Sequence, residues 1–213
     1  MINPFRITFS GVDDTITPEA LASFQVDYPE IDLEWGVLLS KKRAGTARYP
    51  SLDWLEKVAR YTIFFKDKFK LNLAGHLQGQ WLQEVINGEF MFPSLWKKLF
   101  RRMQLNFHGQ TLNDNFPNNL KLRPLNWDMD CNIFQVVNGD DRLVHKARKL
   151  GINVYPLYDS SCGNGKVPDF WIKGYFDVNG FAGGLGPDNI KEEWFKIVDA
   201  ADGKDFWIDC ETQ

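Results

Sequence analysis

The chain has 213 residues, 44% hydrophobic and 25% charged, a balance expected of one globular domain over residues 1–213 with a sizeable core. Its net charge is −3, and no dense Lys/Arg block accompanies it, so no nucleic-acid partner is expected. The three cysteines, Cys131, Cys162 and Cys210, are widely spaced with no CxxC pair, which argues against a disulfide framework or a zinc site.

No run approaches the roughly 18 apolar residues of a membrane span, and the opening MINPFRITF is too short and polar for a signal peptide. The expectation is a cytoplasmic chain with no membrane partner.

In chain order, short apolar runs alternate with helical patterns. Strands are predicted over Phe5–Ser10, Leu33–Ser40, Lys70–Ala74, Met103–Phe107, Asn132–Val137, Asn153–Asp159, Asp177–Ala182 and Asp205–Cys210. Between the first two, Thr17-Pro18-Glu19 supplies a cap, a first-turn proline and a first-turn acid. Ser51 precedes Leu52, Leu55, Val58 and Ala59, an apolar stripe at helical spacing. Further helices are predicted over Gln80–Asn87, Pro93–Arg101, Asp140–Leu150 and Asp188–Ala200, with Gly151 as a stop. The Asn/Pro-rich stretch Thr111–Asp130 reads as an elaborated loop with a short helix. Lys97, Lys98, Arg101 and Arg102 read as the solvated face of a helix.

Strand–helix alternation predicts an α/β fold with a parallel sheet. Eight strands allow a closed barrel or an open doubly wound sheet; a barrel is near its lower size limit here and lacks an eighth helix. In a barrel, ligands meet the C-terminal strand ends, which directs attention to five segments.

After the seventh strand comes Phe181-Ala182-Gly183-Gly184-Leu185-Gly186-Pro187-Asp188-Asn189. Paired glycines before a helix let backbone N–H groups approach an anion, so Gly183 and Gly184 are phosphate-binding candidates; a plain connecting turn is the alternative. Asp159 ends the sixth strand on the same face as Tyr155 and Leu157, followed by Gly163 and Gly165. It is a candidate general acid or acceptor for a ligand hydroxyl, or else caps its own turn. Ser10 lies opposite the apolar set Phe5, Ile7 and Phe9 and points into the barrel mouth if that set faces helices. Arg43 and Arg48 follow the second strand as candidate anion clamps. Asn106 and His108 close the fourth, and His76 stands in a similar position after the third. No His/Asp set suggests a metal, and no Walker-type loop or GxGxxG is present, so neither metal nor cofactor is expected.

Taken together, these segments resemble phosphoribosylanthranilate isomerase. Thr8-Phe9-Ser10-Gly11-Val12 stands where that family has Lys-Ile-Cys-Gly-Leu, and Ala47-Arg48-Tyr49 is similar to its Ser-Pro-Arg-Tyr loop. Leu105-Asn106-Phe107-His108-Gly109 is similar to its fourth strand, and Leu157-Tyr158-Asp159 with Gly163-Asn164-Gly165 to its sixth. The segment Phe181–Asn189 resembles Leu-Ala-Gly-Gly-Leu-x-Pro-Glu-Asn.

The resemblance implies a small (β/α)8 barrel, or TIM barrel, and an Amadori-type aldose–ketose isomerisation of a phosphorylated sugar. It implies Asp159 as acid and Ser10 in the place of the family's cysteine base. An unassisted serine hydroxyl is a poor base, with Cys162, Asp13 or Asp14 as possible substitutes. Glu211 and Thr212 stand where the family completes its phosphate cup with Ser-Ser-Gly. A second expectation is a non-catalytic barrel that senses or sequesters a phosphorylated nucleotide signal, ADP-ribose-like. Tyr49, Phe107, Tyr158 and Phe181 near the strand ends fit either base stacking or core packing.

Overall fold

The computed structural model describes residues 5–65, 71–89, 96, 99–122, 131–136, 139–159, 161 and 164–211. Eight strands run β1 Arg6–Ser10, β2 Leu33–Leu39, β3 Leu73–Leu77, β4 Arg102–Leu105, β5 Cys131–Val136, β6 Val154–Asp159, β7 Val178–Ala182 and β8 Asp205–Glu211. They pair in parallel in sequence order, and β8 closes on β1 through Ser10↔Glu211 and Thr8↔Asp209. The open doubly wound alternative is thereby excluded. The helices among the described residues are α1 Pro18–Asp27, α2 Leu52–Phe64, α3 Gly79–Asn87, α4 Asn118–Leu122, α5 Arg142–Lys149 and α6 Ile190–Ala201. None is long and apolar enough to cross a membrane.

Local sequence explains the outer ring. Thr17 Oγ1 accepts from Ala20 N at 3.2 Å and Ser51 Oγ from Trp54 N at 3.1 Å, caps worth about 1 kcal/mol each. The buried face of α2 is Trp54, Leu55, Val58 and Ala59, positions recurring at helical spacing. No helix joins β6 to β7 among the described residues. Trp171, Ile172 and Phe176 of that connection pack on the outer core instead, with Trp171 Nε1 donating to Glu193 Oε2 at 2.8 Å.

Alternation separates two cores. Outward residues such as Val37, Leu39, Phe134, Phe206 and Ile208 join the helices in one large cluster, while Cys131, Ile133, Leu157, Ala182 and Trp207 form a small one inside the barrel.

Three expectations change. Strand β3 starts three residues later than Lys70–Ala74, because the inward–outward alternation that pairs with β2 runs through Gly75 and His76. The helix expected over Pro93–Arg101 lies mostly outside the described residues; Arg101 is in a bend and Arg102 already begins β4. Arg102 is therefore no solvated helix residue. It is 3% exposed inside the barrel, where its Nε donates to Glu34 Oε2 at 2.8 Å and its Nη2 bonds Glu34 Oε1. Thr8 Oγ1 adds a 2.9 Å bond to the same carboxylate. Burial pushes the Glu34 carboxyl up, but the Arg102 charge and these bonds outweigh it and hold it below its ordinary value.

Candidate functional site

The C-terminal mouth of the barrel holds a cleft of about 500 Å³. Its floor comes from inward positions at the ends of β1, β3, β4, β5, β6 and β8, so the barrel itself holds these side chains rigidly.

On one side Ser10 Oγ donates to Asp209 Oδ1, and His76 Nδ1 lies 3.9 Å from Asp209 Oδ2. Gly36 on β2 makes this approach possible: a Cβ there would sit 2.5 Å from Ser10 Oγ and 2.9 Å from His76 Cε1. Burial pushes the Asp209 carboxyl up to about 7; Ser10's bond opposes this, while Glu211, Asp159 and Glu34 add to it. Burial pushes His76 down to about 4, with Glu34 opposing and the Arg102 and Arg48 charges adding. Gln104 Nε2 lies 3.3 Å from His76 Nδ1 and donates to Asn106 Oδ1 at 3.0 Å, which orients Asn106 toward the mouth.

On the other side Asp159 is buried and accepts from Gln135 Nε2 at 2.8 Å on one oxygen and from Ser161 N at 3.0 Å and Ser161 Oγ at 2.7 Å on the other. The Ser161 pair is the self-made turn that its sequence allowed, and it leaves the carboxylate on the cleft wall. Asp159 and Asp209 are both in register with Ala182. Their strands thus stand two apart, about 9–10 Å between backbones.

The rim comes from the loop after β2. Arg48 takes a left-handed backbone, φ 67°, and its N–H donates to Asp13 Oδ2 at 2.6 Å. Its Nη2 reaches within 3.9 Å of Glu211 Oε2. Burial pushes the Glu211 carboxyl up against Arg48's opposing charge. Arg43 lies 3.9 Å over the Tyr49 ring and donates to its hydroxyl at 2.8 Å. Asp13 and Asp14 do not serve Ser10. Asp13 holds Thr15 and Arg48, and Asp14 accepts from Ser51 N at 2.7 Å.

The glycine turn has a packing role of its own. Gly184, at φ 57°, faces the loop after β6; a Cβ there would meet Gly165 O at 2.6 Å and Val167 N at 2.7 Å. A Cβ on Gly183, at φ 138°, would lie 3.2 Å from Lys166 O. A Cβ on Gly165 would lie 3.1 Å from Glu211 Oε2, so a carboxylate adjoins this turn. Helix α6 begins at Ile190, two residues past the expected start, after Asn189 has bonded Gly184 O and Gly186 N.

The cleft thus brings together Ser10, Arg43, Arg48, Asn106, His108, Asp159 and Glu211. Gly183, Gly184 and Gly165 form the adjoining turn, and Gly163, Thr212 and Cys162 lie outside the described residues. For two aromatics the core-packing alternative holds: Tyr158 and Phe181 are 2% and 0% exposed in the outer core, so they stack no ligand. His76 lies on β3 and faces the mouth rather than following the strand. Sequence reading missed Asp209, Gln104 and Gln135. Period-two counting back from Glu211 points to Asp209. Among the described residues no three His, Cys, Asp or Glu side chains gather as metal ligands.

The molecule is therefore a closed eight-stranded parallel barrel of the TIM type with a polar, carboxyl-bearing mouth. Compared with models of known families, with curated proteins and with solved structures, the chain matches none.

Proposed function

We propose that this barrel binds a phosphorylated sugar or nucleotide at its C-terminal face and isomerises it as phosphoribosylanthranilate isomerases do. The observation that carries the reading is the pair of buried carboxyls, Asp159 and Asp209, facing one cleft from strands two apart. An Amadori rearrangement needs an acid and a base acting on one ligand. One group gives a proton to the ring oxygen as the C1–O bond breaks, and another takes the C2 proton, leaving an enol-amine that becomes the amino-ketose.

Asp159 is the acid in this reading. Ser10 replaces a thiol base, but its hydroxyl bonds Asp209, whose value of about 7 puts both protonation states within reach near neutrality. Asp209 is then the base and Ser10 the group that orients it. The glycine turn at Gly183 and Gly184 takes the phosphate, and Arg48 is the nearby cation that offsets Glu211. A non-catalytic, sequestering barrel is the second reading; it is favoured by Ser10's hydroxyl being engaged with Asp209.

The test is an isomerase assay on phosphoribosylanthranilate, with mass spectrometry of small molecules released from the denatured protein. Turnover that vanishes in Asp159→Asn and Asp209→Asn supports the enzyme. A co-purifying phosphorylated nucleotide without turnover supports sequestration. No turnover, no released ligand and no binding of ribose 5-phosphate overturns both.

A further inference from the structure

A second hollow of about 730 Å³ opens beside the cleft, between the end of β4 and helix α5. Gln135 and His108 line both spaces, so the two adjoin at these side chains. The hollow is lined by Phe107, Leu112 and Leu143, with Lys146 and the ion pair Arg142–Asp140 at its rim. Phe107 is half-buried and braced edge-on by Phe116 and Phe134 at 5.6 and 5.2 Å, which fixes its ring as a wall.

Gln135 supplies the second observation. It is 7% exposed, and its Nε2 is committed to Asp159 Oδ2 at 2.8 Å. Oε1 is the other end of that amide. That oxygen is buried with no hydrogen-bond partner among the described residues. A buried acceptor without a donor is costly, which marks a place where a ligand N–H or O–H is gained at a premium.

Resting on the reading that the mouth holds a phosphorylated sugar, we infer that the ligand is a nucleoside monophosphate. Its sugar phosphate lies in the cleft, and its flat ring lies in the Phe107–Leu112–Leu143 hollow with an N–H given to Gln135 Oε1. Flat rings bury well against fixed aromatic and leucine side chains, and an exocyclic amine supplies the donor that a bare sugar phosphate does not bring to this wall.

The experiment is calorimetric titration of the full chain with adenosine 5′-monophosphate, ribose 5-phosphate and adenosine. Adenosine monophosphate should bind at least about tenfold tighter than ribose 5-phosphate, the gain expected of one ring burial and one bond to a buried acceptor. Leu112→Asp, at a position 47% exposed and remote from Asp159's bonds, should erase that gain and leave ribose 5-phosphate binding unchanged. Gln135→Leu should reduce it as well. Equal affinity for the two phosphates in the unaltered protein overturns the inference and leaves the sugar-phosphate reading standing. Adenosine binding as tightly as its monophosphate removes the phosphate and keeps the ring subsite. No binding of any of the three overturns both.

Discussion

His76 Nδ1 and Asp209 Oδ2 lie 3.9 Å apart, yet between about pH 4 and pH 7 they are a neutral imidazole beside a protonated carboxyl. Burial drives both toward neutrality, so the contact is no salt bridge in that range. Their effects on stability have opposite signs. Folded Asp209 keeps its proton up to about 7 while the unfolded carboxyl loses it near 3.8, so its contribution falls as pH rises through that window. Unfolded His76 takes a proton near 6.5 and the folded ring only near 4, so its contribution falls as pH drops between them. Each slope is about 1.4 kcal/mol per pH unit, and they cancel where the windows overlap. Denaturant melts from pH 4 to 8 check this. Asp209→Asn should gain on the parent as pH rises toward 7, and His76→Gln should gain as pH falls below 6.5. Differences that stay constant with pH would sink the idea.

Ser10's hydroxyl donates to Asp209 and so favours the charged carboxylate. Ser10→Ala should therefore move the Asp209 titration above 7, read by carbon NMR of labelled aspartate. If Asp209 is the catalytic base, the rise of kcat/KM with pH should move up with it. An unmoved titration would show that Ser10 does not tune Asp209.

In Asp159→Asn, turnover should be lost while ribose 5-phosphate affinity changes little, since the amide keeps the shape and an oxygen for the Ser161 donors. Single-turnover kinetics beside calorimetry separate the two effects. Affinity and turnover falling together would make Asp159 a binding group instead.

Inside the barrel, Arg102 and Glu34 are an ion pair 3% and 0% exposed. Arg102→Met alone should cost about 3–5 kcal/mol by leaving the buried Glu34 carboxylate with only the longer 3.4 Å contact to Arg6 as a cation partner. Adding Glu34→Leu should recover much of that loss. Urea unfolding of the single and double variants reads the coupling, and simple additivity would refute it.

Gly184→Ala should destabilise by about 1–3 kcal/mol, since its methyl would meet loop backbone at φ 57°. Gly186→Ala has open space and should stay within about 0.5 kcal/mol of the parent. Paired thermal melts decide this. Equal shifts would mean that the 164–168 loop does not pack on Gly184.

Alternation along single strands made part of the site readable. Ser10 stood opposite Phe5, Ile7 and Phe9, and Asp159 shared a face with Leu157; both side chains are in the barrel mouth because a strand turns successive residues to opposite faces. Caps at Thr17 and Ser51 were equally local. Arg102 was not readable, because a basic cluster looks the same whether one member turns inward or none does. Nor was β3's start, since Lys70–Ala74 and Leu73–Leu77 are both apolar enough to be a strand. Which residues meet was decided only by barrel closure. Ser10 and Asp209 are 199 positions apart. They touch because β8 pairs with β1, and the same closure that removes them from water gives Asp209 its value near 7. Desolvation belongs to the folded surroundings of a residue and is not encoded at any one position of the chain.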